Sequence, residues 1–467
     1  MGALNRRDLL RISAAGALSA VAAAQAALKG GDKTAPASGP AAKPSIRARM
    51  FWTWDHSTEW ALNRPGAQTY GAANTYTRGN DLFLQDYTNL LHWCGRHGID
   101  AVVVWGLLRD CHGGLQSAKR LCEVAARENV RLLCGAGLNS YGGVYYEGDS
   151  PYSLERHLQA HGELYALNAA GGKLPHHACP SRRENQQFAA ESLGWLFKNL
   201  PLGGVQVETG DCGVCQCKLC RERRKHPAGA FSWEDMALMY PVAAGAIRAA
   251  SPDAWVVCET YSNPEPQHGP EKAPGFGDSR PAWSGEALAQ FPAGAFVQWV
   301  GDMAARPWFP WTAAGAFPGG RQHHVLRAHF STYWGRFRGE LAIDWIADMV
   351  QRSIAHGFDA ISLFGEVSPF HAGAELNYLA LGHCGSAANP TADLDLFLRE
   401  VAGPLLGGAD QARDYLRFAR LLDDRARIPD ALKSISARCA TLPPDAARRW
   451  IWLANYLASF IYPEPPT

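Results

Sequence analysis

Two carboxylates at the ends of neighbouring apolar segments can move protons, so the acidic residues come first. Glu208 closes Gly204-Val205-Gln206-Val207-Glu208, a short run with the alternation of a strand. Asp211 follows three residues later, Glu259 sits late in the run from Trp255, and Glu366 follows the run from Ala360. Cleaving a glycosidic bond needs one carboxyl as proton donor and a second as base or nucleophile. Glu208 is the first candidate for the donor. Glu366 and Glu259 contend for the partner, with Asp211 on the adjoining loop. Burial would keep one of the pair protonated while the other ionises.

Tryptophan is the second signal, with 16 in the chain. An indole is a flat apolar face with one polar handle, and a pyranose offers a C–H face to stack on it. Trp52, Trp54, Trp105, Trp299 and Trp334 stand at or just beyond apolar runs. Beside them are polar residues on strand-like parity: Asp55, Gln206, Gln298, Arg327 and His329. Buried polar groups must be paired or used, so these join the substrate-binding candidates.

The third signal is Cys212-Gly213-Val214-Cys215-Gln216-Cys217-Lys218-Leu219-Cys220. This spacing crowds two disulfides but suits thiolates around one ion. Four-cysteine zinc sites use such C-x2-C pairs. Cys212, Cys215, Cys217 and Cys220 are therefore candidate ligands of a structural zinc that catalysis does not require. Disulfides that include Cys179, or an iron–sulfur cluster, are the alternatives.

These residues need a scaffold. Short apolar runs fall at Ala48–Trp54, Ala101–Leu107, Val130–Ala136, Gly204–Glu208, Trp255–Tyr261, Ala295–Val300, His324–His329 and Ala360–Gly365. Between them lie amphipathic stretches at Asp81–His97, Leu115–Asn129, Arg183–Asn199, Ser232–Ala250 and Leu341–His356. Gly98, Pro201 and Gly357 stand where helices stop. Eight strands alternating with helices predict an α/β fold, a (β/α)8 TIM barrel. A doubly wound sheet is the alternative, but no G-x-G-x-x-G follows an early strand. The Tyr-rich and Gly-rich segment 139–180 is expected to fold over the barrel mouth. After Asn389 the strand pattern stops, and four helix-like stretches predict a helical C-terminal region.

Strand, Glu and a short loop with C-x-C-x2-C-R resemble the fourth-strand region of TIM-barrel glycoside hydrolases. The zinc-knuckle β-galactosidases of glycoside hydrolase family 42 are similar there. So are uncharacterised domains related to α-glucuronidases and hexosaminidases, which also resemble Ala178-Cys179-Pro180-Ser181. The match runs from about Cys179 to Arg221. It implies Glu208 as the strand-four acid and Cys215, Cys217 and Cys220 as metal or knuckle residues. Val207 stands before Glu208 where family 42 has Asn. Ala328-His329-Phe330 supplies no carboxylate at the seventh strand. A retaining double displacement is thus not implied; inverting or substrate-assisted schemes stay open.

The whole chain sets the outer bounds. It has 467 residues, with 45 Lys+Arg against 44 Asp+Glu, and 47% are hydrophobic. That balance excludes a disordered chain and leaves no basic footprint for nucleic acid. Asn5-Arg6-Arg7-Asp8-Leu9-Leu10-Arg11 precedes a small-residue apolar run and Ala24-Gln25-Ala26. This reads as a twin-arginine (Tat) signal over 1–28, implying the Tat machinery as a partner. A linker follows over 29–45, then the barrel over 46–389 and the helical region over 390–467. No membrane span is expected in the mature protein, whose expected place is the periplasm or outside the cell. The leading reading is an exported glycosidase acting on a carbohydrate. A non-catalytic carbohydrate-binding barrel is the alternative, and an iron–sulfur redox protein stands behind both.

Overall fold

Parallel strands cannot be joined by tight turns; each needs a crossover, and helices supply it. The computed structural model describes residues 46–55, 80–210, 213–225, 229–261, 284–300, 321–329, 340–364 and 372–461. Its barrel strands are β1 (Ala48–Trp54), β2 (Ala101–Trp105), β3 (Arg131–Gly137), β6 (Gly204–Glu208), β7 (Trp255–Glu259), β8 (Phe296–Val300), β9 (His323–Ala328) and β10 (Ala360–Phe364). They close a parallel barrel in chain order, β10 pairing back onto β1. Crossover helices include α1 (Asn80–Arg96), α2 (Gly114–Arg127), α4 (Arg183–Asn199), α6 (Trp233–Ala250), α7 (Ser284–Gln290) and α8 (Ile343–Ala355), with a short α5 (Lys218–Arg223) ahead of α6. The protein is a (β/α)8 barrel.

Alternation along each strand sorts the side chains into two cores. Met50, Trp52, Trp105, Leu133, Val257, Phe296, Val325 and Phe364 fill the barrel interior. The opposite parity, such as Phe51, Val104, Val205 and Cys258, packs against the helices. The barrel has room for its indoles because a neighbour gives way. A Cβ on Gly135 would lie 2.4 Å from the Trp105 ring, its partner in register.

Two strands end two residues earlier than their apolar runs. β2 stops at Trp105 because Gly106 turns left-handed, at φ 79°. β7 stops at Glu259, and Tyr261 takes φ 52°. The segment after β3 is folded: helix α3 (Leu154–Ala160) and an antiparallel hairpin of β4 (Tyr165–Leu167) and β5 (Lys173–Ala178). Beyond Asn389 the described chain is helical. The stretch expected as one helix from Asp393 is interrupted by a π turn at Leu398–Ala402. Arg449 forks onto Glu375 at 2.6 and 2.7 Å, tying the last helix, Pro444–Ala458, to Ala372–His383 beside the barrel.

Candidate active site at the barrel mouth

The C-terminal ends of β6 and β7 bring two fully buried carboxylates, Glu208 and Glu259, to the same end of the barrel. Glu259 is held from several sides. Its Oε1 accepts the backbone N–H of Thr260 at 3.0 Å and of Tyr261 at 2.8 Å. Its Oε2 accepts Gln298 Nε2 at 2.5 Å and Gln206 Nε2 at 3.4 Å, and Arg327 Nη1 lies 3.0 Å away. Tyr261 also donates its hydroxyl to Glu208 Oε2. One residue thus touches both carboxylates.

Arg327 is buried as a cation among rings: Trp52 at 4.3 Å, Tyr261 at 5.3 Å and Phe364 at 5.5 Å. Aromatic faces and the Glu259 charge offset the loss of hydration. His329 packs edge-on against Phe364 at 4.7 Å. Trp54 and Trp105 stand 5.4 Å apart, and Tyr141 lies against both. The segment after β3 therefore does reach over the mouth, with Tyr141 and Tyr146 as its contacts. Asp55 receives Arg109 Nε at 2.6 Å, and Arg109 stacks on Tyr146 at 4.2 Å. Burial pushes the Tyr146 phenol up to about 12, against the pull of Arg109.

Several barrel-facing polar atoms have no hydrogen-bond partner among the described residues. They are Arg327 Nε, Trp52 Nε1, Trp105 Nε1, Gln206 Oε1, Gln298 Oε1 and Ser362 Oγ. Buried polar groups are rarely left so. Three of the six are donors, two are acceptors and one is a hydroxyl that does both.

Trp299 needs correction as a substrate-binding candidate. Its parity is opposite to that of Gln298, so it faces the helices. There it packs 5.8 Å from Trp233 and donates its indole N–H to His324 Nδ1 at 3.0 Å. Asp211, Glu366, Trp334 and Cys212 lie outside the described residues. Reading the sequence missed Arg109 and Tyr261 as site residues, and had Tyr146 only as part of the aromatic segment expected over the mouth. Tyr261 had a signal, since it continues the inward parity of Val257 and Glu259.

The thiol cluster is also regrouped. Among the described residues, Cys179, Cys215, Cys217 and Cys220 lie with their sulfurs within 4.8 Å of one another. Cys179, expected only as a disulfide partner, is thus one of the four. Cys179 Sγ is 3.5 Å from Cys220 Sγ and 3.7 Å from Cys217 Sγ. A tetrahedron of Zn–S bonds near 2.3 Å has S–S edges of about 3.8 Å, while a disulfide is about 2.05 Å. The spacing fits four thiolates around one ion. Hydrogen bonds from Cys179 and Cys215 hold the Cys220 thiol far below its ordinary range, with Ser181 and Arg224 adding to the effect. The Leu167 N–H donates to Cys215 Sγ at 3.3 Å. The cluster therefore joins the loop after β6 to the hairpin that follows β3.

No protein-family model matches the chain, and no curated protein matches it. Solved structures similar to it include α-L-fucosidase isoenzyme 2 from Paenibacillus thiaminolyticus. That match has 14% identity over 73% of this chain and 49% of the fucosidase, with a TM-score of 0.44. The β-N-acetylhexosaminidase from Bacteroides fragilis is similar at 11% identity over 73% of this chain and 66% of that one, TM-score 0.40. An α-amylase from Anoxybacillus matches at 11% over 74% and 80%, TM-score 0.45. The chain spans about half the length of the fucosidase. The class that the fold defines is the eight-stranded parallel α/β barrel. Its chemistry has to be argued from its own residues.

Proposed function

We propose that this protein is an exported glycoside hydrolase that acts on a carbohydrate through carboxylate acid/base catalysis, with Glu208 as one reacting carboxylate. The observation that carries the reading is the set of buried barrel donors and acceptors without a partner among the described residues, two of them indole N–H groups, on the strands that carry Glu208 and Glu259 or beside them. A polyhydroxylated ring presents that mixture, with a C–H face for the indoles. Glu259 is occupied by Arg327, two glutamines and two backbone N–H groups. That occupancy suits an anchor for the site, and Glu366 is the partner we favour. Cys179, Cys215, Cys217 and Cys220 would hold a structural zinc. Four thiolates close its coordination, so it would stiffen the knuckle and leave the reaction to the carboxylates.

The test is turnover by the mature protein and its Glu208→Gln variant on a panel of glycosides and polysaccharides. We expect the variant to lose about 10²–10⁴-fold in kcat while still binding sugar. Full activity in the variant would remove Glu208 from the mechanism. The end of β9, with Arg327 and His329 and no carboxylate, favours a second reading as a non-catalytic carbohydrate-binding barrel. Binding without turnover across the panel would support it.

A further inference from the structure

Tyr261 is a nearly buried tyrosine with a left-handed backbone, φ 52°, just beyond β7. Few side chains adopt that region, and such residues persist where surrounding contacts over-determine them. Here the contacts are specific. The Tyr261 N–H is spent on Glu259, and its hydroxyl is donated to Glu208. Arg327 lies over its ring. A cation over a phenol ring strengthens the O–H as a donor, and a donor aimed at a carboxylate favours the charged form of that carboxylate.

We propose that Tyr261 is a positioning residue that holds Glu208 as an ionised carboxylate, which makes Glu208 the base of the pair and leaves proton donation to its partner. The inference deepens the glycoside-hydrolase reading and rests on it for the word base. The state of Glu208 itself does not depend on that reading. In the hydrolytic step Glu208 would take one proton from water as the water oxygen bonds to the anomeric carbon. The glycosidic C–O bond breaks, and the partner acid returns a proton to the leaving oxygen. The assignment reverses the role that strand position alone suggests for Glu208.

Other titratable groups also face this carboxylate from the elements around it. Tyr146 comes from the segment after β3, with Arg109 stacked on it. Tyr240 comes from α6, where it donates to the Glu259 backbone carbonyl. Glu259 on β7 and Arg327 on β9 flank Tyr261, and their charges offset one another at 3.0 Å. Tyr261 places its phenol O–H directly on Glu208 Oε2.

Infrared pH titration reads the proposal without a substrate. The C=O stretch of a protonated carboxyl is assigned to Glu208 by its loss in Glu208→Gln. We expect no such band at pH 7 in the wild type. In Tyr261→Phe the band's midpoint should rise by at least one pH unit, a tenfold loss of preference for the anion. Tyr261→Asn, a residue type that tolerates the left-handed backbone, replaces it if the Phe variant does not fold. A Glu208 band at pH 7 in the wild type overturns the proposal, and so does an unmoved midpoint in the folded variant. On any glycoside the wild type cleaves, the acid limb of kcat/KM should move up in Tyr261→Phe. A shift of the alkaline limb instead would restore Glu208 as the donor. If the panel shows no turnover, only the hydrolase reading fails, because the infrared result still stands.

Discussion

At the scale of single residues, charge and hydrogen bonding decide what each group can do. Glu208 and Glu259 are both fully buried carboxylates, yet their surroundings differ. Glu259 accepts from two backbone N–H groups and two amides beside a guanidinium, while a phenol reaches Glu208. The thiols are the other residue-level device. If Cys179 is a ligand, Cys179→Ala should release the metal and lower the melting temperature. Cys111→Ala, an exposed thiol on another loop, should change neither. Metal analysis of the purified variants checks this. One zinc per wild-type chain and none in Cys179→Ala is the expected result, and equal metal in both would exclude Cys179 from the site.

At the scale of elements, strand parity makes specific demands. On the outer face of β9, His324 Nδ1 accepts the Trp299 indole N–H, which requires the neutral ring. Burial lowers its pKa from the ordinary 6.5 to about 4, against the attraction of Asp359. The unfolded chain therefore binds this proton more tightly than the fold does. The site costs nothing above pH 6.5, and the cost grows as the pH falls, becoming complete below about 4. Its size is on the order of 3 kcal/mol. Denaturant melts across this window should show stability falling with acid, with a shallower fall in His324→Gln. On the inner face, the methyl of Gly135→Ala would meet the Trp105 ring. Overpacking of this kind costs about 1–3 kcal/mol, which thermal melts would register.

At the scale of the whole molecule, the barrel and its C-terminal helices join through partly buried ion pairs such as Arg449–Glu375. Among the described residues, no helix is long and apolar enough to cross a membrane. Export is a proposal that rests on the N-terminal sequence. Replacing Arg6 and Arg7 by Lys should abolish transfer of the folded protein across the membrane, with precursor retained inside. Cell fractionation measures that, and undiminished export would refute a twin-arginine route.

The sequence by itself determined the barrel, because period-2 apolar runs separated by period-3.6 stretches are local and each carries its own partition between core and water. β1, β6 and α4 begin and end where their residues indicate. Inward parity likewise placed Gln206, Glu208, Gln298 and Arg327 inside the barrel. Tertiary structure decided what required segments distant in the chain to meet. Cys179 joins Cys215, Cys217 and Cys220 only when the hairpin after β3 folds against the loop after β6. Tyr261 reaches Glu208 across 53 positions because neighbouring strands pair in register. Parity, a local property, already turned Trp299 toward the helices; the fold supplied its partners there, Trp233 and His324. Local pattern sets which side of a strand is wet or dry; only closure of the barrel sets which groups share the dry side.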